Sequence, residues 1–238
     1  MTLDGTNTWV LSAPGASRGI VIDPGPDDER HLTDVLEVAR ERGIQVVWAL
    51  LTHGHLDHSA GARRFAELSG AEVRALDPAH RYGGEGLADG ELLDVDDLRI
   101  EVVATPGHTA DSLSFLLPQL QALLTGDTVL GRGTAVVAHP DGRLGDYLGS
   151  LTRLRDLSAA AELELLLPGH GPVLRQPEEV LRGYLAHREE RLEQIRLALA
   201  DGAQTAAEVV SVVYADVDPV LWPAAELSVQ AQLAYLRP

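Results

Sequence analysis

Thr52-His53-Gly54-His55-Leu56-Asp57-His58 follows directly on Val46 to Leu51, a continuous apolar run of strand length. Three histidines and an aspartate fall within the six residues from His53 to His58. A lone histidine in a polar loop is usually incidental, but this density at a strand end reads as a metal-binding segment. Such a loop can turn His53 and His55 to one side and Asp57 and His58 to the other, so that one segment serves two adjacent metals. Three further stretches repeat the placement. His108 sits in Thr105-Pro106-Gly107-His108-Thr109, Asp127 in Leu124-Thr125-Gly126-Asp127-Thr128, and His170 in Leu167-Pro168-Gly169-His170-Gly171-Pro172, each after a run of strand character. The Pro-Gly pairs are expected to be rigid turns that aim His108 and His170. Four ligand-bearing loops, each delivered by a strand, point to one composite site.

Around these loops, strands and helices alternate. Thr8 to Leu11 and Gly19 to Asp23 read as a hairpin, Glu29 to Arg42 as a helix ending at Gly43, His58 to Ser69 as the next helix and Glu72 to Ala75 as a short strand. Leu98 to Ala104, Ser112 to Leu117 and Leu120 to Leu124 are expected strands. Tyr147 to Leu157 is an expected helix and Leu163 to Leu167 a buried strand. Interleaving of this kind predicts an α/β layered core. Beyond Pro172 the pattern becomes helical. Glu178 to Ala200 carries Leu181, Leu185, Leu192, Ile195 and Leu199 on one face, and its charged face reads as solvated surface. Thr205-x-x-Glu208 is a capping box opening a second helix, and Pro219 to Leu236 reads as a third.

Composition narrows the chemistry. The 238 residues contain no cysteine, which removes thiolate catalysis, disulfides, iron-sulfur clusters and Cys-type zinc sites, so any metal must be held by His and carboxylates. All 19 basic residues are arginine, excluding lysine chemistry, and 36 acidic residues leave a net charge of -17. Broad capture of nucleic acid or of an anionic membrane is thereby disfavoured, and no stable DNA complex is expected. No apolar run is long enough to span a bilayer and no signal-peptide pattern opens the chain, so the expected location is the cytoplasm.

The order and spacing of the four motifs resemble the metallo-beta-lactamase fold superfamily of metal-dependent hydrolases, from about Thr6 to Pro172. The resemblance implies a four-layer αββα sandwich with the site at one edge between two sheets. It further implies that His53, His55 and His108 surround one metal, that Asp57, His58 and His170 hold the other, and that Asp127 bridges them. Within the superfamily the chain is similar to the beta-lactamase-like protein 2 group. That similarity rests on Gly5-Thr6-Asn7-Thr8-Trp9, Gly126-Asp127-Thr128-Val129-Leu130-Gly131 with Gly133-Thr134-Ala135, Pro168-Gly169-His170-Gly171-Pro172-Val173, and His187-Arg188-x-x-Arg191. It implies a hydrolase domain over residues 1–172 and a small helical, winged-helix-like unit over 173–238. Two departures carry expectations of their own. Gly54 stands where the group often places a larger residue, which predicts an open wall of the pocket. The group also carries residues ahead of the Thr6-Asn7-Thr8 stretch, so a first strand is expected to be missing before Met1.

Two divalent cations, zinc in the first place with manganese or iron as alternatives, would lie ~3.5 to 4 Å apart and share a metal-bound hydroxide as nucleophile. Asp127 would set their separation, and Asp57 would ligate, orient the nucleophile or shuttle its proton. These two carboxylates are the candidate catalytic groups. The beta-lactamase-like protein 2 resemblance implies endoribonuclease activity on single-stranded RNA. Charge points the other way, because residues up to Pro172 carry 13 Arg against 26 acids and the tail carries 6 Arg against 10. Hydrolysis of a small thioester, ester or lactone, as in glyoxalase-II-like relatives, is the alternative, and an iron oxidoreductase on the same fold a third. The sequence says nothing of the oligomeric state.

Overall fold

A computed structural model describes residues 5–236, so whatever precedes Met1 lies outside the described residues. The chain opens with β1 (Trp9–Leu11) and β2 (Arg18–Ile22), an antiparallel pair as the hairpin pattern predicts. Helix α1 (Glu29–Glu41), capped by Asp28, carries the chain back so that β3 (Gln45–Leu50) pairs parallel with β2. Such a crossover is what joins parallel strands. β4 (Glu72–Arg74) adds at the far side of β3 and completes a four-stranded sheet ordered β1-β2-β3-β4. Between β3 and β4 the expected single helix is two: α2 (Leu56–Ser59) and α3 (Ala62–Ser69). At the break the backbone hydrogen bond leaves the helix, and the close approach it requires admits only glycine. Gly61 donates its N–H to Gly25 O at 2.9 Å, and a Cβ there would sit 2.5 Å from Pro26 O.

A second sheet of six strands runs β5 (Leu92–Val95), β6 (Leu98–Ala104), β7 (Leu113–Leu117), β8 (Ala122–Gly126), β9 (Leu165–Pro168) and β10 (Leu174–Arg175), with neighbours in that order. β5 and the two-residue β10 are edge strands with no counterpart among the expected strands. β6 and β8 are each antiparallel to β7, and β9 is parallel to β8, so the C-terminal ends of β6, β8 and β9 share one edge. The two sheets are tied together at that edge, where Leu113 N–H donates to Thr52 O at 2.7 Å.

Strand alternation sorts the side chains into layers. Ile20, Ile22 and Leu50 from the first sheet meet Ile100, Val102, Phe115, Leu117 and Leu124 from the second in a central core. Val21 and Ala49 face outward onto Leu32, Val35 and Phe65 of α1 and α3. On the opposite outer face Val103, Leu116, Leu123 and Leu166 pack under α4 (Leu144–Ala160) and α5 (Pro177–Ala200), through Tyr147, Leu151, Leu154 and Leu181. The architecture is αββα. The far half of α5 forms a separate small core, Ile195 and Ala198 with α6 (Ala206–Val213) and α7 (Trp222–Leu236) through Val209, Val210 and Val229. Thr205 and Glu208 form the expected reciprocal capping box. The charged face of α5 departs from expectation at one place. Arg188 is only 5% exposed, aligned with Tyr184 and Leu181 on the buried side.

Candidate metal centre

Each of the seven histidines and aspartates singled out in the sequence lies at the shared strand edge. His53, His55, Asp57 and His58 follow β3, with His55 capping α2. His108 follows β6, Asp127 follows β8 and His170 follows β9. Ligand atoms of His53, His55, His108 and Asp127 all lie within 4.8 Å of one another, and those of Asp57, His58 and His170 do the same. Asp127 stands between the groups. Its Oδ2 is 3.6 Å from His108 Nε2 and 3.3 Å from His170 Nε2, and its Oδ1 is 3.5 Å from His58 Nε2.

The imidazoles are held by acceptors on their outer nitrogens. His108 Nδ1 lies 2.7 Å from Val136 O and His170 Nδ1 lies 2.8 Å from Gly5 O. His58 Nδ1 lies 2.8 Å from Asp23 Oδ2. Carbonyls and carboxylates only accept, so each ring places a proton on its outward nitrogen and leaves Nε2 as the atom that faces the cluster. His53 follows the same logic by relay. Thr52 Oγ donates to Asp23 Oδ2 at 2.7 Å and so accepts from His53 Nδ1 at 3.0 Å. That leaves His53 Nε2 a lone pair, buried and without a hydrogen-bond partner, as is Asp127 Oδ1. Unpaired buried lone pairs on imidazole and carboxylate are the donor set of a divalent transition-metal site, and the residues fit such a group.

Protonation follows position. Burial pushes the His53 imidazolium well below its ordinary range, aided by the neighbouring His58, His108 and His55. Burial likewise lowers His108 against the opposing pull of Asp127. Both are therefore neutral and able to ligate. For His58, burial lowers the pKa, but the charge and hydrogen bond of Asp23, with Asp127 and Asp57, raise it overall. His170, despite burial, is pushed up to about 10 by its hydrogen bonds to Asp127 and Asp57. Asp127 is raised by burial but lowered on balance by the His170 hydrogen bond and the charges of His58 and His108. In this half of the cluster, protons occupy positions that a cation would contest.

Two supports went unread in the sequence. Asp23, 1% exposed at the end of β2, orients His58 directly and His53 through Thr52, and its Oδ1 also accepts Thr52 N–H at 2.8 Å. Its signal was available, a carboxylate in Ile22-Asp23-Pro24-Gly25 after a strand like the other four loops. The Gly5 to Trp9 stretch, quoted above only for its resemblance, clasps the His170 turn. Asn7 donates its N–H to Gly169 O and its side-chain amide to Pro168 O and Gly171 O, while Thr6 Oγ donates to Asp57 Oδ2 at 2.9 Å. The expected open wall at Gly54 is corrected. A Cβ there would lie 2.5 Å from His80 Nε2 and 3.2 Å from Asp111 Oδ2, so His80 occupies the space that a larger residue would take. Asp77, His80 and Asp111 form a third, half-buried grouping at this rim.

Residues 1–170 match the family model described as the metallo-beta-lactamase superfamily, and residues 205–237 match that of the beta-lactamase associated winged helix domain. The chain is 33% identical to an atrochrysone carboxyl ACP thioesterase of Aspergillus fumigatus, over 90% of this chain and 70% of that one. It is also 33% identical to a beta-lactamase-like protein 2 homolog of Caenorhabditis elegans, over 90% of this chain and 72% of the other. Among solved structures, a metallo-beta-lactamase family protein from Thermus thermophilus superposes with a TM-score of 0.80 at 25% identity, covering 98% of this chain and 88% of that one.

Proposed function

The chain belongs to the metallo-beta-lactamase superfamily and is a hydrolase, and from that premise we propose that it cleaves a small acyl thioester at a dinuclear centre, preferentially zinc. The observation that carries the substrate class is charge. Both halves of the chain are acidic and neither has a lysine, which opposes a polyanionic RNA substrate and not a small acyl compound. The thioesterase among its relatives supports the same reading.

In this proposal His53, His55 and His108 would hold one cation and Asp57, His58 and His170 the other, with Asp127, which lies between the two groups, as a ligand common to them. Bound there, divalent cations supply Lewis acidity and lower the pKa of a water to roughly 7. The chain's own residues position and move protons. Asp23, Val136 O and Gly5 O lock the imidazoles in the ligating tautomer. Asp57 is the carboxylate at the cluster with the larger solvent exposure, 36% against 10% for the side chain of Asp127, and Thr6 Oγ fixes its Oδ2. It is therefore placed to accept a proton from an attacking water and return it to the departing thiolate. The deciding experiment is a parallel assay of metal-loaded protein on thioesters, esters, lactones and single-stranded RNA. Turnover of thioesters with RNA left intact is expected. RNA cleavage without thioester turnover would replace this reading by the endoribonuclease one. Metal analysis and a visible spectrum of protein purified without added metal test zinc against iron.

A further inference from the structure

The motif His187-Arg188-Glu189-Glu190-Arg191 on α5 takes no part in the strand-edge cluster, yet its His187, Arg188 and Arg191 line a cavity of about 250 Å³ between α5, the 134–136 segment and residues 214–228. Thr134, Ala135, His187, Arg188, Arg191 and Tyr214 face it, and no Asp or Glu is among its lining residues. In a chain of net charge -17 that sign reversal is local and built.

The partners of the two guanidinium groups are all neutral. Arg188 donates Nη2 to Ala135 O and lies 4.9 Å over the Tyr147 ring, while its Nε is buried with no hydrogen-bond partner. Arg191 donates to Val213 O at 3.1 Å and Gln194 Oε1 at 2.8 Å and lies 4.4 Å over the Tyr214 ring. Most other arginines among the described residues pair with a carboxylate, including Arg18, Arg64, Arg74 and Arg153. His187 Nδ1 is also buried without a partner. Burial, then the charges of Arg188 and Arg191, lower the His187 pKa, which keeps that ring neutral beside them. A guanidinium withdrawn from water without a counter-ion is costly, and an N–H left empty adds to that cost. The fork of an arginine matches the oxygens of phosphate or carboxylate.

We propose that this cavity binds an oxyanion, phosphate or carboxylate, with Arg188 and Arg191 as its counter-charges and His187, whose Nδ1 is buried without a partner, as a further hydrogen-bond donor. The anion completes the Arg188 Nε contact and restores the missing charge. It arrives either on the substrate or as a free ion. The cavity is one peptide from the strand-edge cluster, since Ala135 O accepts from Arg188 and the next carbonyl, Val136 O, accepts from His108.

The first test does not depend on the hydrolytic reading. The full chain, stripped of metal by chelator so that the cluster does not compete for anions, is titrated calorimetrically with inorganic phosphate and with acetate at constant ionic strength. One binding event is expected for at least one of them, weakened about tenfold or more in Arg191→Gln and in Arg188→Met. Arg191 is half-buried and its variant serves should Arg188→Met fail to fold. No binding of either ion up to tens of millimolar, or equal binding by wild type and folded variants, overturns the proposal. The second test separates the sources and rests on the thioesterase reading. With metal-loaded protein, a raised KM in Arg191→Gln for acetyl-coenzyme A, which carries phosphates, but not for a phosphate-free acetyl thioester of N-acetylcysteamine assigns the anion to the substrate. Equal response of both thioesters to added inorganic phosphate, lost in the variant, assigns it to a free ion.

Discussion

Among the described residues, the strand edge and the α5 cavity both bury polar atoms without partners, and the kind of atom differs. At the strand edge the orphans are His53 Nε2 and Asp127 Oδ1, two lone-pair atoms that no hydrogen-bond donor meets. In the α5 cavity Arg188 Nε is an N–H with no lone pair to meet, and Arg191 adds a second positive charge to the lining. Burial without a partner costs free energy in both cases. The missing half of each interaction names its ligand: lone pairs require a cation, empty donors an anion. A chain whose overall charge is strongly negative presents both kinds of orphan, because net charge sets the field over the broad surface that a polyanion would cover and not the sign of a pocket a few side chains wide.

The largest expected effect lies at Asp127, the carboxylate that stands between both groups of the edge cluster. Removing it in Asp127→Ala leaves two cations without the group that touches both and their repulsion uncompensated. Wild type is expected to hold two metals per chain. The variant should retain about one, with hydrolysis lower by on the order of 10³-fold or more, equivalent to ~4 kcal/mol of lost transition-state stabilisation. Metal analysis after gel filtration and single-turnover assays check both parts. Two tightly held metals with near wild-type turnover would remove Asp127 from the centre. His53→Ala should instead weaken chiefly the site shared with His55 and His108.

The next effect separates two glycines that look equivalent in sequence. Both precede a clustered histidine after proline, and both are expected there to aim it. A Cβ on Gly169 would lie 2.6 Å from Asp127 Oδ1 and 2.8 Å from His58 Cε1, inside the cluster itself. One on Gly107, whose φ is +133°, would lie 2.3 Å from Tyr147 N and Cα, in the backbone of α4. Gly169→Ala is therefore expected to lose metal affinity while keeping its melting temperature. Gly107→Ala should lose roughly 1–3 kcal/mol of stability or more, read by urea denaturation. Identical profiles for the two variants would show that the turns act alike after all.

That pair also marks what the sequence makes legible. The residues that meet in the cluster were readable because metal chemistry restricts residue type and because each of the four loops follows a strand, a local pattern. The layered fold was readable for the same reason, since Ile20, Val21 and Ile22 alternate faces and α1 keeps its helical spacing. What a residue meets across the fold leaves no such trace. Asp23 lies 35 positions from His58, and Asn7 reaches a turn 161 positions away. Arg188 looked like one more charge on a solvated helix face, because an arginine turned inward has the same sequence signature as one turned out. A sharper test of the Asp23 relay is Asp23→Asn, which keeps the shape but offers His58 and Thr52 a neutral amide. Metal affinity should fall about 10- to 100-fold, with far-UV circular dichroism unchanged. Unaltered affinity would mean that the imidazoles hold their tautomers without it.

The smallest effect joins the two regions. Ala135 O and Val136 O belong to consecutive peptides, one accepting from Arg188 and the other from His108. Arg188→Met keeps much of the apolar stem but removes the guanidinium over the Tyr147 ring and releases Ala135 O, so the segment loses one of the anchors that hold Val136 O against His108 Nδ1. The carbonyl itself remains, and outright loss of such an orienting partner costs roughly 10–100-fold in affinity, so the loosened version should cost about two- to fivefold. It should fall on the site built with His53, His55 and His108 and spare the one built with Asp57, His58 and His170, whose orienting partners, Asp23 and Gly5 O, lie on other segments. Chelator competition that resolves the first from the second metal reads this directly, with phosphate absent so that the cavity's own ligand does not intervene. Equal weakening of both metals would point to a general loosening of the fold. Weakening of neither would show that the two regions, though one peptide apart, are energetically separate.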